Sequence, residues 1–186
     1  AGADAAPLAA LLAARDPLRG AGVELAHRIA LLTGRYDGPG ERNHAAIAQI
    51  KAEISRLAKG LAQGKGYTLA QQAALAYPDR VGLRRKGDDP RYVLSGGKGA
   101  VIDAGDALAG ARLIVATDLD GDTREAKARQ ATAMTEAELR DLYTDPHTWH
   151  DPLLRSKREA RVPARHQARF GSLIPAYTLG GCAPDA

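Results

Sequence analysis

The hydrophobic period of this chain changes after Tyr77–Pro78, and that change sets its fold class. Upstream, Ile47, Ile50, Ile54, Leu57 and Leu61 recur at intervals of three and four, which makes one apolar stripe along a helix. Lys51, Glu53, Arg56 and Lys59 lie away from the stripe, and Asn43 is a good helix cap. The pattern predicts a helix over 42–62, ended by Gln63 to Gly66. From Arg80 onward Val81 and Leu83 alternate with Gly82 and Arg84, as a half-buried strand requires. Further strands are predicted at Arg91–Leu94, Ala100–Ile102 and Leu113–Thr117. Helices first and strands later mean an α+β chain: a helical bundle segment, then a small β-barrel, then a basic C-terminal extension.

The remaining elements follow from punctuation. Residues 7–32 read as helical, with Pro7 in a first turn and Leu8, Leu11 and Leu12 on one face. Asp16-Pro17 interrupts, because the residue before proline avoids helix. Asp16 is then expected to cap a second helix carrying Leu18, Val23, Leu25, Ile29 and Leu32, and residues 34–40 are a loop. Thr68 caps a short helix through Leu75. Ala126–Ala131 is open between strand and helix on propensity alone. Asp120-Gly121 is a common hairpin pair. Thr135 and Glu138 have capping-box spacing and open a helix over Met134–Tyr143. Trp149 is a candidate anchor for a small module beyond it.

Composition narrows the function classes. Of the 186 residues 45% are hydrophobic but only 4% aromatic, so alanine and leucine supply most of the core. Alanine has little area to bury at roughly 25 cal/mol per Å². That thin core, a start at Ala1 without methionine and a loop-like end suggest a piece of a larger protein. No apolar run approaches the roughly 18 residues of a membrane span. The single cysteine, Cys182, rules out an internal disulfide and fits a reducing cytoplasm. Net charge is +4, but it is concentrated. Arg84, Arg85, Lys86, Arg91 and Lys98 stand against Asp88 and Asp89. Six cations between Arg155 and Arg169 stand against Glu159 alone. Grouped cations beside glycine turns and an aromatic strand suit single-stranded nucleic acid.

Motifs for independent chemistry fail on their constrained positions. Ser95-Gly96-Gly97-Lys98-Gly99-Ala100 is not a phosphate-binding loop: Gly99 follows Lys98 where a hydroxyl residue would hold magnesium. It reads as a hairpin turn with Lys98 at its tip. The Asp118, Asp120, Asp122 run lacks the glycine and glutamate of a calcium loop, having Thr123 and Arg129 in their places. His147 and His150 have no partner at zinc spacing. No Gly-x-Ser-x-Gly elbow is present. The sequence therefore assigns no catalytic residue, no metal ligand and no cofactor to this chain. The nucleic-acid candidates are Arg84, Arg85, Arg91 and Lys98 as backbone contacts, with Tyr92 either a stacking face for a base or a core residue. If Arg84 and Tyr92 lie on facing strands, they frame one groove.

The stretch Leu75–Gly121 resembles a known family. Ala76-Tyr77-Pro78-Asp79-Arg80, the pair Arg84-Arg85, the run Arg91 to Ala100, Asp106-Ala107-Leu108-Ala109-Gly110 and Ile114 to Gly121 are similar to the region after the motor in HrpB-type bacterial DEAH-box ATP-dependent RNA helicases. Where that family has asparagine-glycine-arginine-glycine-alanine, this chain has Gly96, Gly97, Lys98, Gly99 and Ala100, which keeps the cation and loses an amide. The likeness reaches upstream to Leu11–Gly20 and, more weakly, downstream to Trp149–Leu173. It implies that residues 1–76 end a ratchet-like helical domain. It implies also that 77–133 close an oligonucleotide-binding (OB) type barrel, which favours a strand at Ala126–Ala131, and that 134–186 begin a C-terminal extension. The implied partners are single-stranded RNA, or DNA, and upstream motor domains that hold ATP and magnesium. The rival reading is a protein-interaction or purely structural accessory module.

Overall fold

A computed structural model describes residues 2–122 and 124–143, together with the strand backbones at 149–150, 164–170 and 173–180. The side chain of Trp149, most of the basic run Arg155–Arg169, and Cys182 lie outside the described residues.

Four helices come first: α1 (Ala6–Leu12), α2 (Leu25–Leu32), α3 (His44–Ala58) and α4 (Leu69–Ala76). The predicted stripe of α3 is present, with Ile50 buried and Ile47, Ile54 and Leu57 packed against the core. Asn43 caps α3 by accepting from the Ala46 N–H. The helix ends at Ala58, earlier than Gln63, because Lys59 turns extended and Gly60 takes a left-handed φ of 78°. Thr68 caps α4 in a full capping box with Gln71.

The second helix does not start at Asp16. Leu18–Arg19 is instead a two-residue strand, β1, paired antiparallel with β2 (Glu41–Arg42). Gly20 and Gly22 at φ 71° and 69° hold this segment out of helix. The helix starts only at Leu25, where Glu24 accepts from the Ala26 N–H.

Five strands then close a barrel: β3 (Val81–Arg84), β4 (Arg91–Leu94), β5 (Gly99–Val101), β6 (Leu113–Leu119) and β7 (Glu125–Met134). The order around it is β3-β4-β5-β7-β6. β3 and β6 pair antiparallel to close the ring, and β5 and β7 pair parallel. This is the Greek-key arrangement of an OB-type barrel. Ala126–Ala131 is strand, inside β7. β6 and β7, consecutive in the chain, pair antiparallel. Helix α5 (Glu136–Leu142) follows, with the capping box between Thr135 and Glu138. A three-stranded antiparallel sheet, β8 (Trp149–His150), β9 (Ala164–Phe170) and β10 (Leu173–Gly180), comes last.

Two cores explain the apolar pattern. Tyr92, Leu94, Ala100, Ile102, Leu108, Ile114, Ala128 and Ala131 fill the barrel. Val81, Leu113, Val115 and Met134 point the other way, onto the helices, where they meet Leu8, Leu11, Leu25, Ile50, Ala73, Leu139 and Leu173. Strand β6 is covered on both faces over 113–117, which is why it reads as a continuous apolar run rather than an alternating one.

A buried arginine links helix and barrel. Arg28 is 2% exposed. It donates to both carboxylate oxygens of Asp16 and to the carbonyls of Leu18, Gly22 and Glu24. This fixes the 16–24 segment against β7. There Ala131 N–H donates to Val23 O at 2.9 Å, and Asp106 Oδ2 accepts from Val23 N–H at 2.8 Å.

Candidate nucleic-acid interface

The predicted cations do not share one surface. Arg84 and Tyr92 are register partners on β3 and β4, as the facing-strand expectation required. Cross-strand partners project to the same side, and here that side is the barrel interior. Tyr92 is 0% exposed, and its hydroxyl donates to the carbonyls of Leu108 and Ala111 at 3.0 and 2.9 Å. Burial pushes the phenol above its ordinary pKa; the Arg84 charge opposes this and Asp106 adds to it. No ring face is open to a base, so Tyr92 is a core residue and not a stacking platform. Arg84 sits half-buried at the end of the barrel. Its Nη2 donates to Asp88 O at 3.0 Å, and its Nε is buried with no hydrogen-bond partner among the described residues.

Alternation sends the next residue outward. Arg85 N–H continues the β3–β4 ladder by donating to Arg91 O, and its guanidinium lies over Gly99. A Cβ at Gly99 would stand 3.7 Å from Arg85 Nη2 and 3.1 Å from the Arg124 carbonyl, so only glycine leaves this space free. Arg91, on the same outer surface, is 51% exposed and stands 3.6 Å from Asp89 and 3.7 Å from Glu125. Lys127 pairs with Asp103 at 3.0 Å, and its register partner is Val101 of β5. Exposed pairs of this kind contribute about 0–1 kcal/mol, so a phosphate can displace the carboxylates at little cost.

Lys127 and the exposed Arg129 were absent from the sequence candidates. Their signal was the alternation Ala126, Lys127, Ala128, Arg129, Gln130, buried and exposed in turn, which becomes readable once the segment is assigned as strand. Lys98 sits apart, in the turn joining β4 to β5. Gly97 takes φ 91° there, as the hairpin expectation held. Lys98 lines a separate cavity of about 240 Å³ at that end of the barrel, with Asp79, Arg80 and Asp122. Arg80 is anchored: Nη1 donates to Thr117 O at 3.1 Å and its guanidinium lies 4.4 Å over the half-buried Tyr77 ring.

The outer surface of β4 and β5 and the adjoining start of β7, with the 85–90 loop, thus gathers Arg85, Arg91 and Lys127. On OB-type barrels the face of the strands corresponding to β4 and β5, with the loop corresponding to 85–90, holds oligonucleotides. No helix among the described residues is long and apolar enough to cross a membrane.

No family model and no curated protein matches this chain. Among solved structures, it is similar to the Escherichia coli DExH-box NTPase HrpB, with a TM-score of 0.70 and 24% identity over 98% of this chain and 21% of that one. A second structure, described as the Escherichia coli DEAH/RHA helicase HrpB, matches with a TM-score of 0.66 and 21% identity over the same shares. The chain spans about a fifth of the length of these structures. Its helices, barrel and following elements have the fold of one region of HrpB.

Proposed function

We propose that this chain is the accessory, nucleic-acid-guiding part of an ATP-dependent RNA helicase of the HrpB type. ATP and magnesium belong to motor domains outside it. In this reading residues 1–76 end a ratchet-like helical domain, 77–133 form the OB-type barrel at the channel exit, and 134–186 begin a C-terminal extension. The observation that carries the proposal is the placement of Arg85, Arg91 and Lys127 on the barrel surface that OB-type folds use for oligonucleotides. Arg84, lying at the barrel end, shapes that surface rather than contacting the strand. The test is anisotropy of a labelled single-stranded RNA at several salt concentrations. Replacing Arg85, Arg91 and Lys127 together by alanine should weaken binding and lower the salt slope by about 2, at about 0.7 per lost phosphate contact. Unchanged affinity in a folded triple variant removes this surface from the binding site.

One feature favours a second reading, docking of a protein. A groove of about 480 Å³ between α1 and α4 is lined by Leu8, Leu12, Leu75 and Tyr77, and Leu75 is 44% exposed. That reading predicts a stable protein complex and no salt-dependent RNA affinity.

A further inference from the structure

The cavity beneath the β4–β5 turn holds two opposite charges that do not pair. Asp79 and Lys98 both line it. Neither side chain makes a hydrogen bond or ion pair among the described residues, although Asp79 and the turn touch through backbone: Gly96 N–H donates to Asp79 O at 2.8 Å. The other two charged residues of the lining each have partners. Arg80 is held by Thr117 O and Tyr77. Asp122 accepts from the Arg124 and Glu125 N–H groups at 2.8 and 3.2 Å. Asp79 and Lys98 are thus the two charged side chains of the lining that no hydrogen bond or ion pair holds among the described residues.

The walls suit a flat ring. Leu94 and Leu119 supply apolar surface, and Gly96 and Gly121 leave backbone uncovered by side chains. A planar heterocycle inserted here has apolar contact on its faces and opposite charges at its edge. Among the nucleobases, guanine offers two adjacent donors, N1–H and the N2 amino group, beside the acceptor O6. The carboxylate can take both donors and the ammonium can reach O6 or N7, the usual lysine contact on guanine. Cytosine, adenine and uracil each offer a single donor group on that edge, leaving one carboxylate oxygen unsatisfied.

We propose that this cavity receives one guanine, extruded from a single strand and read along its Watson–Crick edge by Asp79 and Lys98. The proposal rests on the guiding function above, since a strand on the outer barrel surface brings bases to the cavity. Arg91 begins β4 and Lys98 lies opposite Leu94 at its end, three strand residues or about 10 Å away.

The experiment titrates the four nucleoside 5′-monophosphates into the 186-residue chain, following backbone amide shifts, beside anisotropy of labelled ten-residue oligouridine. Guanosine monophosphate should shift the amides of Gly96, Gly97, Lys98 and Gly121 and bind about tenfold tighter than the other three. Asp79→Asn should abolish that preference, because an amide presents a donor to guanine donors, while leaving oligouridine affinity unchanged. Asp79 makes no side-chain bond whose loss would unfold the variant, and Lys98→Gln gives an independent reduction. Equal affinities for the four monophosphates, no shifts at these amides, or guanosine preference surviving in Asp79→Asn would each overturn the proposal. Oligouridine binding without guanosine preference leaves the guiding function standing alone. Guanosine preference without oligouridine binding leaves the cavity standing and removes the guiding surface.

Discussion

Arg28 and Asp16 meet side-on, Nε to Oδ1 at 3.2 Å and Nη2 to Oδ2 at 2.9 Å, in a bidentate pair whose arginine is almost wholly buried. The same guanidinium satisfies three backbone carbonyls of a segment that belongs to neither a helix nor the barrel. Replacing Arg28 by methionine should therefore destabilise the chain by about 3 kcal/mol, by stranding a carboxylate and three carbonyls. Arg28→Lys should recover little, because a point ammonium cannot span the same acceptors. Urea unfolding monitored by circular dichroism measures both.

The buried hydroxyl of Tyr92 separates structure from recognition. Tyr92→Phe removes a donor from two carbonyls and should cost about 1–2 kcal/mol of stability. Its affinity for single-stranded RNA should equal that of the parent chain. A loss of affinity in a variant that unfolds normally would return Tyr92 to the interface.

Glu138 ties stability to pH. Burial pushes its carboxyl up. Hydrogen bonds from the Thr135 N–H and from the Thr68 and Thr135 hydroxyls outweigh that and leave the pKa below the ordinary glutamate value. A carboxyl depressed in the folded state stabilises above its unfolded pKa of about 4.3, and the stabilisation is lost as pH falls through the folded value. Glu138→Gln should thus flatten the acid limb of the stability curve below about pH 4.3 and leave its shape at neutral pH unaltered. Thermal melts across pH 3 to 7 decide this.

Local chemistry was legible in the sequence and spatial closure was not. The caps at Asn43, Thr68 and Thr135, and the strand Arg91–Leu94, follow from side chains acting within four residues of themselves, and all are present. The ribbon of β1 and β2 escaped because two-residue strands carry no period. Asp16 misled because its carboxylate serves both Leu18 N–H and Arg28, twelve residues away, instead of opening a helix. At the candidate interface, Arg84 and Arg85 were grouped as a basic pair, yet neighbouring strand residues face opposite ways, and only barrel closure decides which is inside. Tyr92 carried no local mark of its fate, since its hydroxyl partners lie 16 and 19 residues on.

The bond from Ala131 N–H to Val23 O gives the helical layer and the barrel a shared lock. That proton lies on the last strand of the barrel, but its acceptor belongs to the segment held by Arg28. Its exchange with solvent therefore needs the two layers to part, or the whole chain to unfold.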